Sequence, residues 1–77
     1  ILRHQQERTA RLDALWVSLS PNDQEDIAKR ARTRMPDFAG KMLRKEELEG
    51  RRSIGHEVLQ SEIHKLLEAE YPAAAGA

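Results

Sequence analysis

The sequence predicts an all-α fold, a small bundle of three to four helices. Apolar residues recur at helical spacing along the chain, and nothing alternates at period two. Serine, proline and glycine fall where helices would start and stop. With 39% apolar and 34% charged residues, the composition suits a bundle with a well-solvated surface rather than a disordered chain. Seventy-seven residues allow one small domain. We expect that domain to cover residues 1–72 and the alanine-rich stretch 73–77 to be a disordered tail. A chain that begins with Ile1 reads as a fragment of a longer protein.

The first helix is expected over residues 2–19. Leu12, Leu15, Trp16 and Leu19 share one stripe, and Glu7 and Arg11 stand four apart with the acid first. Its opening turns, Arg3 to Glu7, have little to bury. The second helix has the strongest local signal. Ser20 can cap it, and Pro21 occupies the first position, where a missing N–H costs nothing. Asp23, Glu25 and Asp26 crowd its start and Lys29, Arg30, Arg32 and Arg34 its end, the polarity that the helix dipole favours. Glu25–Lys29 and Asp26–Arg30 are four-residue pairs. Ile27, Ala28, Ala31 and Met35 form a narrow apolar stripe, and Pro36 ends the helix.

Asp37 can cap a short third helix with Phe38, Ala39, Met42 and Leu43 as its apolar positions. The charged run from Arg44 to Glu49 then leads to Gly50. Gly50 either stops that helix or marks a weak point in a longer one. The last helix is expected over residues 52–71, with Leu59, Ile63, Leu66 and Leu67 as its stripe and Pro72 as its stop. The expected core is Leu12, Leu15, Trp16, Leu19, Ile27, Ala31, Phe38, Leu59, Ile63 and Leu66.

Within the last helix, "GHEVLQSEIHK" comes within one residue of a zinc-hydrolase signature. That signature needs two histidines four apart on one helix face, with a glutamate as general base. Here Gln60 stands in the second position, and its neutral amide is a poor zinc donor. His64 lies eight residues from His56, roughly 12 Å along a helix, too far to share one ion without other ligands. The stretch therefore reads as a packing register. His56, Leu59 and Ile63 face inward; Glu57, Ser61 and Lys65 face water; His64 turns toward solvent.

No other catalytic arrangement emerges. There is no cysteine and no glycine-rich phosphate loop. Ser18, Ser20, Ser53 and Ser61 lack a strand–turn–helix elbow. The carboxylates stand beside bases, as on solvated faces, and a concave pocket of a few hundred Å³ is hard to build in so small a bundle. We expect no enzyme, no metal, no cofactor and no small-molecule substrate.

The zero net charge hides a partition: residues 1–28 balance at −2, residues 29–52 at +5 and residues 53–77 at −3. The middle segment, with Lys29, Arg30, Arg32, Arg34, Lys41, Arg44, Lys45, Arg51 and Arg52, is the candidate surface for DNA phosphates. Phe38 is its lone aromatic, so it offers no stacking platform for single strands. A second candidate surface centres on Trp16. With Leu12, Leu15, Leu19 and His56 it would either anchor the core or meet a partner helix.

"LDALWVSLSPNDQEDIAKRA", followed about twenty residues later by "RRSIGHEVLQSEIHKLLE", resembles the helical C-terminal region of bacterial plasmid-type replication initiator proteins. Leu12, Trp16, Leu19, the Ser20–Pro21 cap, Ile27 and the closing amphipathic helix carry the resemblance. It implies a cytoplasmic protein that recognises an origin and recruits replication machinery. In that family winged-helix domains read the sequence, and nothing here resembles one. The expectation is therefore a non-catalytic module for docking a host replication protein or for self-association. The alternative is a module that contacts the DNA backbone through residues 29–52. A cysteine-free chain fits a reducing cytoplasm. No signal-peptide pattern and no apolar run of roughly 20 residues points to a membrane.

Overall fold

A computed structural model describes residues 2–72, with side-chain surroundings from Gln5 onward, so the expected disordered tail lies outside the described residues. Four helices follow one another: α1 Leu2–Ser18, α2 Pro21–Arg34, α3 Asp37–Glu49 and α4 Ile54–Glu70. There is no strand among the described residues. The all-α bundle predicted from periodicity is the observed fold, with residues 37–49 forming a helix of their own.

Short connections enforce the turns. The Ser20 side chain accepts the Asp23 N–H at 3.2 Å, and Pro21 takes the first position of α2. Met35, forced out of helical geometry by the proline after it, has an extended backbone with ψ 142° and ends α2. Asp37 does not cap α3: the cap residue is Pro36, without a side-chain bond, and Asp37 is the first helical residue. There its charge still favours the helix dipole. Gly50 is the stop of α3. It adopts a left-handed φ of 69°, a conformation that costs glycine little.

Helix α4 is central and packs against each of the other three. Leu12, Ile27, Ala31, Leu66 and Leu67 form the main core, with Leu15, Trp16, Leu19, Leu59, Ile63 and Tyr71 packed around it. Met35, Ala39 and Leu43 form a second cluster under α3, and Leu59 touches both clusters. Leu12, Ile27, Leu43 and Leu67 are fully buried, each contributing about 1.5–3 kcal/mol of transfer free energy.

Phe38 departs from expectation. It is 63% exposed rather than in the core, because α3 turns Ala39 and Leu43 toward α4 and thereby points the neighbouring position outward. The Glu25–Lys29 pair is not formed, whereas Arg30 does reach Asp26 at 2.9 Å.

Candidate functional site

The stretch that imitates a zinc motif is organised around a buried carboxylate. Glu46, only 3% exposed, projects from α3 to the start of α4. Its Oε1 accepts the Ser53 N–H at 2.9 Å, the His56 N–H at 3.1 Å and the His56 Nδ1–H at 2.7 Å. Its Oε2 accepts the Gly55 N–H at 2.8 Å. Helix N-termini leave N–H groups without intrahelical partners, and Ser53, at the cap position, contributes no side-chain bond. A carboxylate from the neighbouring helix supplies what the local sequence does not. Burial alone pushes the Glu46 carboxyl up, but the His56 side chain and the Gly55, Ser53 and His56 N–H groups together outweigh it, holding the group at about 2.

Gly55 makes this approach possible. A Cβ there would lie 2.5 Å from the Leu43 nitrogen, 2.7 Å from the Leu43 Cα and 2.9 Å from Glu46 Oε2. This corrects the expectation that every carboxylate lies on a solvated face. The signal was present, since Ala39, Leu43 and Glu46 share the i, i+4, i+7 spacing of one helix face.

His64 is also corrected: it is buried rather than turned to solvent. Helix α1 lies over that side of α4, and Asp13 meets His64 Nε2 at 3.1 Å and Gln60 Nε2 at 3.4 Å. Each imidazole of α4 thus has one nitrogen against a different carboxylate. Among the described residues, no group of three or more His, Asp or Glu side chains is placed to hold a metal ion.

Between α1 and the first half of α4 runs a groove. Its larger part, about 480 Å³, is lined by Arg8, Arg52, Ser53, His56, Gln60 and His64 among others. A smaller part, about 170 Å³, has Trp16, Leu59 and Ile63 as its apolar wall. The larger volume is one that a bundle of this size is expected to build only with difficulty. Of the candidate partner surface, Trp16 and His56 come together in this groove. Leu12 is fully buried, and Leu15 and Leu19 pack on the core.

The nine middle-segment bases separate into two sets. Arg30 bonds Glu70, at 2.5 and 2.8 Å, and Arg32 bonds Glu47, at 3.1 and 3.0 Å. Arg34 meets Glu62 at 3.3 Å and Arg51 meets Glu49 at 2.8 Å. The hydrogen bonds to Arg32 and Arg30 hold the Glu47 and Glu70 carboxyls below the usual range. Lys29, Lys41, Arg44, Lys45 and Arg52 make no ion pair among the described residues. Of these, Lys41, Arg44 and Lys45 lie on the face of α3 opposite Ala39 and Leu43. That face also carries Phe38 and Leu48, the latter 89% exposed. Phe38, Lys41, Lys45 and Leu48 follow one another at i, i+3, i+7 and i+10, a seam of the spacing by which one helix meets another.

Among the described residues no helix is long and apolar enough to cross a membrane. No protein-family model, no curated protein and no solved structure matches the chain.

Proposed function

We propose that this chain is a non-catalytic docking module that offers the outer face of α3 to an acidic helical segment of a protein partner. On the sequence resemblance, its setting is a plasmid-type replication initiator in the cytoplasm, and its partner a host replication protein. The observation that carries the reading is the exposed Phe38–Lys41–Lys45–Leu48 seam, flanked by Arg44 and lacking ion pairs. Ten residues of helix separate its apolar ends by roughly 15 Å. A partner helix with apolar side chains at that separation and acids between them would complement it in both shape and charge.

Duplex DNA is the competing partner, because the same three bases could meet phosphates. Two features favour protein. Four of the nine candidate bases, Arg30, Arg32, Arg34 and Arg51, are already held by carboxylates. Leu48 and Phe38 would also gain little against a phosphate backbone.

The test uses a designed acidic helix, with leucines ten positions apart and glutamates between them, alongside a random-sequence duplex. The peptide is expected to bind better than the duplex at physiological salt. Leu48→Ala and Lys45→Glu should each weaken peptide binding about fivefold to tenfold, the range of an interface side chain that matters. Both positions are exposed, so folding should be unchanged. Tighter duplex binding that falls steeply with salt and ignores Leu48→Ala would establish the DNA reading instead. Sedimentation of the chain alone distinguishes self-association.

A further inference from the structure

We propose that the groove between α1 and α4 is a binding site for a small anionic amphiphile, an aromatic or aliphatic body carrying a carboxylate, sulfonate or similar head. This site is separate from the α3 seam, and its fate does not depend on the docking reading.

The wall fits the body of such a ligand. Trp16, Leu59 and Ile63 line the narrow part, and each is only partly buried although all three pack on the core. The two parts of the groove share Arg52, His56, Gln60 and His64, so they adjoin along that row of side chains. The larger part alone falls in the size range of small-molecule sites, roughly 300–1,000 Å³. Such sites combine an apolar wall with a few placed polar groups; here the apolar wall belongs to the smaller part, and the larger part is lined by polar and charged side chains.

The charges select the head group. Asp13 is engaged by His64 and Gln60. Arg8 pairs with Glu68, and Lys65 meets Glu62 at 3.3 Å. Arg52 is the cation of the groove left without a carboxylate among the described residues. Beside it, His56 is turned by its Nδ1–H bond to Glu46 and leaves the head group to Arg52. Glu46 occupies the Ser53, Gly55 and His56 N–H groups at the start of α4, so the head group would be held by side chains, with Arg52 as the fork for a planar anion. Glu57, exposed on the outer lip, and Asp13, in the narrow part, are the opposing charges.

Anilinonaphthalene sulfonate and its uncharged analogue phenylnaphthylamine test the proposal, with Trp16, the sole tryptophan, as the energy-transfer donor. The sulfonate should bind saturably at one site and show emission sensitised by Trp16. Arg52→Gln should weaken the sulfonate about tenfold, the effect of losing one charge-assisted contact, while leaving phenylnaphthylamine within about twofold. Glu57→Gln should tighten the sulfonate alone. Both substitutions lie at exposed positions, and circular dichroism checks that each variant keeps its helices. Unsaturable binding, no sensitised emission, or an equal loss of both probes in Arg52→Gln would overturn the proposal.

Discussion

Gly55 and Glu46 show how two residues join two helices. The glycine lets the start of α4 come within reach of the Leu43 backbone, and the carboxylate then satisfies three N–H groups there. Gly55→Ala would place a methyl group against backbone atoms that cannot rotate away. We expect a loss of about 1–3 kcal/mol, the usual cost of overpacking, read as a lower urea midpoint at unchanged slope. An unchanged midpoint would mean that the helices can separate without cost. In the sequence, the stripe position of Glu46 and the early glycine of α4 were both visible, but their pairing across nine positions was not. Hydrophobic periodicity reports which face is inside; it does not report which polar atom waits there. The same limit hid Asp13 opposite His64, a contact between residues 51 positions apart.

At the scale of the helices, legibility followed the locality of the signal. The Ser20–Pro21 start and the Met35–Pro36 stop of α2 depend on neighbours in the chain, and both were readable. Ser20→Ala should therefore cost about 1 kcal/mol, the typical worth of a side-chain cap, measurable by thermal or urea unfolding; no change would assign the start of α2 to Pro21 alone. In the sequence, Leu59, Ile63, Leu66 and Leu67 announce one apolar stripe on α4. In fact α1, α2 and α3 surround it, so its buried arc extends to Gly55 on one side and His64 on the other. A central helix hides more of itself than its leucines indicate. Leu67, 0% exposed, lies within that arc, and Leu67→Ala should cost about 2–5 kcal/mol by leaving a cavity. Small domains have a total stability near the upper end of that range. The variant should therefore be partly unfolded at 25 °C by circular dichroism, and full helicity with an unchanged melting point would contradict this placement of the core.

Across the whole molecule, the helices are tied by carboxylates whose acidity the fold increases. Glu46 holds α3 to α4, Glu47 meets Arg32 of α2, Glu68 meets Arg8 of α1, and Glu70 meets Arg30 of α2. All four carboxyls lie below their ordinary value of 4.5, Glu46 at about 2. A carboxyl with a lowered folded-state pKa binds protons more readily when the chain is unfolded. Its stabilisation is thus fully present above about 4.5 and is lost as the pH falls toward the folded value. The support from these four carboxyls should accordingly weaken progressively from pH 4.5 toward 2. Salt divides the contributors. Exposed arginine pairs are screened over roughly 10 Å at 0.1 M and more strongly above it, whereas the bonds to Glu46 lie in the interior. Urea unfolding repeated across this pH range in about 0.5 M sodium chloride should retain an acid-dependent component. Glu46→Gln should lower the plateau at neutral pH and remove that component, because an amide cannot titrate and cannot accept with both its polar atoms. If the salt-resistant acid dependence persists in Glu46→Gln, the device that joins α3 to α4 is not the one controlling the acid limb.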